Sequence, residues 1–286
     1  MHTTTAPTLS FGQRLAAFSH LCKPRVNSLI VFTAMIGMCL ATPDFPPLLR
    51  FTVASLGIAL VSFAAAALNC LVERTVDAKM ARTSWRATAR GDISPLETIT
   101  LATALGATGL WLLHNFINDL TVWLTLATFV GYTVIYTLIL KPATPMNIVI
   151  GGASGAMPPL LGWTAMTGQV SAEPLVLFLI IFLWTPPHFW ALACYRRDDY
   201  ARSGLPMLPV THGIAFTCQH ILWYTVMLAA ASLIPVSLGM SGTFYLIAIS
   251  LLDLVFLGYA IALCRNYSDA LARRCFRYSI LYLTLL

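Results

Sequence analysis

The chain alternates long uncharged apolar stretches with short charged ones. Asp, Glu, Lys and Arg are absent from 26–43, 51–72, 98–118, 120–140, 142–172, 174–195 and 203–252. A helix rises about 1.5 Å per residue and needs about 20 apolar residues to cross the hydrocarbon core of a bilayer. Each stretch is therefore long enough for one spanning helix. The last also holds a loop: Pro209 to Gly213 interrupts it near its start, and Pro235, Gly239 and Gly242 interrupt it again. An eighth span then runs over 243–264 around the single acid Asp253. The pattern predicts an all-α polytopic membrane helical bundle of eight complete spans, one domain over 1–286, preceded by a polar segment at 1–22. After Arg277 nine residues remain, 278–286, too few to cross about 30 Å of hydrocarbon. A truncated ninth helix is expected there.

Composition removes the soluble alternatives. The chain is 58% apolar and 10% charged, against about 25% charged in an average soluble domain. That is too little charge to solvate a globular surface and the wrong balance for disorder. The charges are also sided. With the N-terminus in the cytoplasm, 16 of the 17 basic residues fall on cytoplasmic segments and Arg50 alone lies outside. This is the positive-inside pattern, so the N-terminus is expected to be cytoplasmic. The stretch from Met1 to Leu21 carries only Arg14 and lacks the order of a signal peptide, so the first span is expected to direct insertion. The seven cysteines form no C-x-x-C pair and read as small core hydrophobes.

Two charged segments carry chemistry. The second span ends with Asn69, Glu73 and Asp77, spaced i, i+4, i+8. On a helix these share one face. Two carboxylates and an amide oxygen are hard ligands suited to Mg²⁺, and at the mouth of a bundle they fit a metal that binds diphosphate. Lys79, Arg82, Arg86 and Arg90 follow at once. Topology by itself accounts for such bases, but it does not require the acids. The sixth span ends at Tyr195, followed by Arg196, Arg197, Asp198, Asp199 and Arg202. A second acidic pair thus sits at the same membrane face, where two acidic clusters could bind metals around one diphosphate. His188 lies about two turns inside the membrane, either as a functional group or as a hydrogen-bonded link between helices. The fifth span is rich in small residues, Gly151, Gly152, Gly155, Gly162 and Gly168. These serve close packing or make room for a bulky ligand. Asp253 is expected to face the cavity or to pair with a base.

These residues resemble the UbiA superfamily of intramembrane prenyltransferases, and within it the branch that farnesylates heme. The matching stretches are Lys23-Pro-Arg-Val26, Asn69 to Thr83, Gly91 to Pro95, Tyr136 to Lys141, Thr144 to Asn147, Ile150 to Pro159, Trp184 to Leu192 and Asp198 to Pro209. The Asn-Glu-Asp spacing alone points only to the superfamily. The stretches WTPPHFWAL and DDYARSGLPMLPV are more specific. The sequence departs from that pattern at Ser84–Thr88, where Arg86 is kept but the following proline is not, and at Ser203, where a further acid is absent.

The resemblance implies transfer of a farnesyl group from farnesyl diphosphate to a vinyl group of heme b, giving heme O and diphosphate. It implies Mg²⁺ as cofactor, held by Asn69, Glu73 and Asp77 with Asp199 opposite. Arg82 and Arg86 join these as catalytic residues. Lys79, Arg197, Asp198, Lys141, Tyr195 and His188 would bind substrate, Tyr195 facing an allylic cation and His188 ligating or orienting the heme. It further implies a multi-pass protein of the bacterial inner membrane, set in the lipid bilayer. Heme A synthase or a terminal oxidase would be assembly partners, and no nucleic acid is expected. A quinone-precursor prenyltransferase, a transporter and a non-catalytic heme-binding assembly factor are the competing readings. The crowding of acids at one face disfavours transport, which places polar sites near the midplane.

Overall fold

The structure, a computed structural model, describes residues 10–81 and 83–286. A short helix α1, Phe11–Leu21, is closed by a capping box between Ser10 and Gln13. It leads into α2, Pro24–Leu40, and α3, Leu48–Val72. Helical turns at Arg74–Asp77 and Ala87–Arg90 form the first charged loop. Gly91, at φ 80°, ends the second turn in the left-handed conformation that glycine tolerates.

Helix α4, Pro95–Phe116, starts on a Ser94–Glu97 capping box with proline in its first turn. Helix α5, Asp119–Val130, continues as π-helix through Gly131–Leu140. The fifth span is broken at Met157 into α6, Asn147–Ala156, and α7, Pro158–Thr167, because Pro158 and Pro159 supply no backbone N–H to continue the first helix. There follow α8, Ala172–Tyr195, α9, Arg197–Ser203, α10, Gly213–Ser232, α11, Thr243–Arg265, and α12, Asp269–Leu285.

Among the described residues, six helices are long and apolar enough to cross a membrane: Leu48–Val72, Pro95–Phe116, Asp119–Ala143, Ala172–Tyr195, Gly213–Ser237 and Thr243–Arg265. The eight-span expectation differs at two places. The first span is a 17-residue helix, and the fifth is the broken pair α6 and α7. The ninth helix also differs. It begins at Asp269, capped by Ser268, and runs 17 residues. Its start lies before Arg277 because Arg273, Arg274 and Arg277 ride on one face of an amphipathic helix whose other face is buried, a pattern that no charge-free window detects.

Helix α8 is the hub, packed against α6, α7, α10 and α12. The N-terminal half is held by α3 against α4 and by α2 against α7. The contact between α2 and α7 depends on glycine. A Cβ on Gly162 would stand 1.9 Å from Ala34 O, and one on Gly37 2.1 Å from Pro159 O. Gly151 likewise lies under the Tyr136 ring, and Gly152 against Thr185. Close packing accounts for most of the small residues in the fifth span.

Among the described residues, Asp253 pairs with hydroxyls and makes no ion pair with a base. Its carboxylate accepts hydrogen bonds from Ser232 Oγ and Tyr282 OH, each at 2.7 Å. A buried carboxylate in an apolar helix requires such donors, and these tie α10, α11 and α12 together.

Candidate active site

The helical register of α3 persists past its end. Glu73 N–H donates to Asn69 O at 3.0 Å, and Asp77 N–H donates to Glu73 O at 2.7 Å. The spacing read from the sequence therefore holds, and Asn69, Glu73 and Asp77 form one row. All three side chains are buried. Buried polar groups need partners, and buried charges need them most.

Each member of the row has its own cation. Asn69 Oδ1 accepts from Lys23 Nζ. Glu73 Oε1 accepts from Lys141 Nζ and also from Asn69 Nδ2 at 2.8 Å. Asp77 Oδ2 pairs with Arg86 Nη1 at 2.6 Å. Asn69 Nδ2 further donates to Thr137 Oγ1 at 3.2 Å, which in turn donates to Tyr132 O at 2.8 Å. That second bond spans five residues within the π-helical stretch, whose wider turn presents Thr137 to the row. π-helical insertions of this kind mark functional sites more often than chance.

Three separate segments deliver the cations. Lys141 leaves the end of the π-helical stretch, and Arg86 stands just before Ala87–Arg90. Lys23 caps α2 with φ 47°, the one non-glycine residue with positive φ among those described. Pro24 follows it and disfavours the α region for the preceding residue. A left-handed non-glycine residue costs on the order of 1–3 kcal/mol and persists where surrounding contacts hold it. Here its own N–H donates to His20 O at 3.1 Å, and its carbonyl accepts from Val26 N–H at 3.0 Å and Asn27 N–H at 3.1 Å.

The ionisation of the row follows from these pairs. Burial by itself would raise the Glu73 carboxyl. The charge and hydrogen bond of Lys141, helped by Lys23 and Asn69, outweigh burial and hold it below the usual carboxylate range. Burial pushes the Lys23 ammonium down from its usual value.

The second acidic cluster is a separate basin of about 370 Å³, with Tyr195, Arg197, Asp198 and Asp199 in its wall. Asp199 pairs with Arg196 at 3.4 Å and with Arg202, both on its own turn of chain. Asp198 and Arg197 are exposed. Among the described residues, no ion pair joins this basin to the Asn69 row. The Tyr195 ring carries Arg273 at 5.2 Å and Arg196 at 5.8 Å from its centroid.

His188 is buried between two rings, Trp184 at 4.2 Å and Phe276 at 4.6 Å. Its Nδ1 shares a 2.7 Å hydrogen bond with Ser279 Oγ. It thus links α8 to α12. Lys79 is exposed. Arg82 lies outside the described residues. Lys23 and Thr137 joined the row without having been singled out as site residues. A lysine placed directly before a proline, at the same membrane face as Asn69, was the available signal for the first. The second had none.

Among the described residues, no three His, Cys, Asp or Glu side chains converge closely enough to hold a metal ion. The donors at the row still fit Mg²⁺. This ion is commonly bound by one or two carboxylates, with substrate phosphates and water completing its shell.

A helical bundle with acid, amide and base converging at one mouth has the chemistry of a site for a charged headgroup on an apolar tail. The chain belongs to the UbiA prenyltransferase family, whose model matches residues 30–285. It is 94% identical over 286 residues to the protoheme IX farnesyltransferase of Dechloromonas aromatica strain RCB, covering 100% of this chain and 96% of that protein. It is 61% identical over 273 residues to the protoheme IX farnesyltransferase of Thiobacillus denitrificans, covering 96% and 92%. Among solved structures, a digeranylgeranylglyceryl phosphate synthase has the same fold, with TM-score 0.80, 18% identity and 95% of each chain covered. A UbiA homolog from Archaeoglobus fulgidus bound to GPP and Mg²⁺ matches with TM-score 0.66, 14% identity, and 94% and 97% covered.

Proposed function

We propose that this chain is a protoheme IX farnesyltransferase. It transfers farnesyl from farnesyl diphosphate to a vinyl group of heme b, giving heme O and diphosphate. The observation that carries this reading is identity of 94% along the whole chain to a protein of that name.

The diphosphate belongs at the Asn69 row. Asn69, Glu73 and Asp77 would hold Mg²⁺, as the Archaeoglobus homolog carries Mg²⁺ together with GPP, and Asp199 would add to the set from the second basin. Bound there, the ion offsets charge on the leaving diphosphate. Arg86, Lys141, Arg82, Lys79 and Arg197 stabilise the diphosphate oxygens electrostatically. The farnesyl tail lies among apolar helices, which exclude water from the allylic carbon. His188 orients the heme, with Ser279 fixing its ring, and Tyr195, whose ring carries Arg196 and Arg273, adds to the substrate-binding wall of the second basin. The protein sits in the bacterial inner membrane with this face cytoplasmic. Heme A synthase or an assembling terminal oxidase receives the product.

Membranes carrying the Asp77→Asn variant, supplied with heme b and farnesyl diphosphate, are expected to lose heme O formation. Near-normal heme O would overturn the site. Prenylation of hydroxybenzoate in place of heme by the unaltered protein would overturn the acceptor.

A further inference from the structure

The second basin gathers arginines around one ring. Tyr195 ends α8, and its side chain is half-buried. Two guanidiniums stand over its ring: Arg273, from α12, at 5.2 Å from the centroid, and Arg196 at 5.8 Å. Arg277, one turn further along α12, acts on the same phenol through its charge.

We propose that Arg273 and Arg196 bind the propionate carboxylates of the heme substrate. The acidic edge of the macrocycle is held at Tyr195, and its apolar edge, with the vinyl groups, points into the bundle. This rests on the reading of heme b as the acceptor.

Three observations support the assignment. First, the arginines are weakly committed. An acid four residues before a base is its usual partner on a helix, and Asp269 holds that position for Arg273. Asp269 Oδ1 instead accepts from Tyr267 OH at 2.7 Å. Among the described residues, neither Arg273 nor Arg277 makes an ion pair. Arg196 reaches Asp199 at 3.4 Å, and Asp199 also serves Arg202. Second, an aromatic tier runs from this point into the bundle. Tyr195 meets Phe276 at 6.1 Å, Phe276 stacks on His188 at 4.6 Å, and His188 stacks on Trp184 at 4.2 Å. Such a tier offers a flat conjugated ring an aromatic wall, and it contains His188, which the proposed reaction sets against the heme. Third, the donors fit carboxylates. A guanidinium lying on a ring keeps its N–H edge for other partners, and its planar fork matches a carboxylate with two parallel bonds. A lipid phosphate would engage the arginines but make no use of the tier.

The test titrates the full-length protein in detergent with heme b and with its dimethyl ester, in which both propionates are blocked. Binding is read from the Soret band. The unaltered protein is expected to prefer heme b by about tenfold, the factor carried by one charge-assisted hydrogen bond. Arg273→Gln removes that preference by weakening heme b, and leaves the ester unchanged. In heme O formation the same variant raises KM for heme and keeps kcat. Arg274→Gln alters an exposed neighbour outside the Tyr195 contact and changes neither affinity. Equal affinity of the unaltered protein for heme b and ester would overturn the proposal. Equal weakening of both ligands by Arg273→Gln would overturn it too, as the mark of a packing role. So would an equal loss of heme b in Arg274→Gln, the mark of a general attraction for anions such as lipid phosphate. An unaltered protein that binds neither heme b nor the ester would overturn the acceptor reading together with the proposal, whereas the other failures leave that reading standing.

Discussion

Lys141 and Glu73 stand 68 residues apart in the chain and meet as a buried ion pair at the mouth of the bundle. The pair joins the end of α3 to the end of the π-helical stretch after α5. It holds Glu73 charged in a place where burial alone would neutralise it.

Removing one partner is therefore costly. Lys141→Met leaves an uncompensated buried carboxylate, which destabilises by about 3–5 kcal/mol. Thermal unfolding in detergent should show a large fall in Tm. The double variant Lys141→Met/Glu73→Gln should recover most of that stability and no heme O formation. A single variant as stable as the parent would contradict the pairing.

The lowered pKa of Glu73 makes a pH prediction. A carboxyl lowered in the folded state adds stability that is complete above its unfolded value, about 4.3. That stability is lost as pH falls toward the folded value. The Tm difference between the parent and Glu73→Gln should be constant from neutral pH down to about 5 and should shrink only below about 4.3. A difference that disappears between about pH 7 and 6 would place the Glu73 pKa above, not below, the usual range.

Two glycines of the fifth span should respond oppositely to alanine. At Gly162 the added Cβ meets Ala34 O at 1.9 Å, so α2 and α7 must separate, at a cost of about 1–3 kcal/mol. At Gly155 nothing lies within 4 Å, and alanine should be neutral or should stabilise by about 0.5–1 kcal/mol. Unfolding of the two variants side by side checks both.

The Asp253 network should be structural. Asp253→Ala removes the acceptor of both hydroxyls; Ser232 Oγ keeps Ala229 O at 2.9 Å, whereas Tyr282 OH loses the carboxylate it donates to. That buried donor is left unpaired, at about 1–3 kcal/mol. Tm should fall while heme O formation per folded molecule stays near that of the parent. A selective loss of activity would instead place Asp253 in the reaction.

Much of the fold was legible because apolar spans are local. Charge-free stretches long enough to cross a bilayer located the helices of 51–72, 98–118 and 174–195 closely. The same rule failed at the last helix, where Arg273, Arg274 and Arg277 ride on one face while Cys275, Ser279 and Tyr282 are buried on the other. Counting charges cannot see which side of a helix they occupy. Small residues and prolines predicted an unusual fifth span, but the break at Met157 and the glycine contacts with α2 needed the neighbouring helices.

By itself the sequence determined the all-helical membrane class and the single face shared by Asn69, Glu73 and Asp77. Each depends on spacing within a few turns, where 3.6 residues per turn leaves little freedom. Only the tertiary structure decided which cation meets which oxygen. Lys23 reaches Asn69 across 46 residues, and Lys141 reaches Glu73 across 68. It also gave His188 its partner in Ser279, and Asp253 hydroxyls in place of a base. These pairings depend on how helices pack side by side, and along a bundle many registers satisfy the same apolar pattern. The polar partners select one of them, because every buried charge must find its match at once.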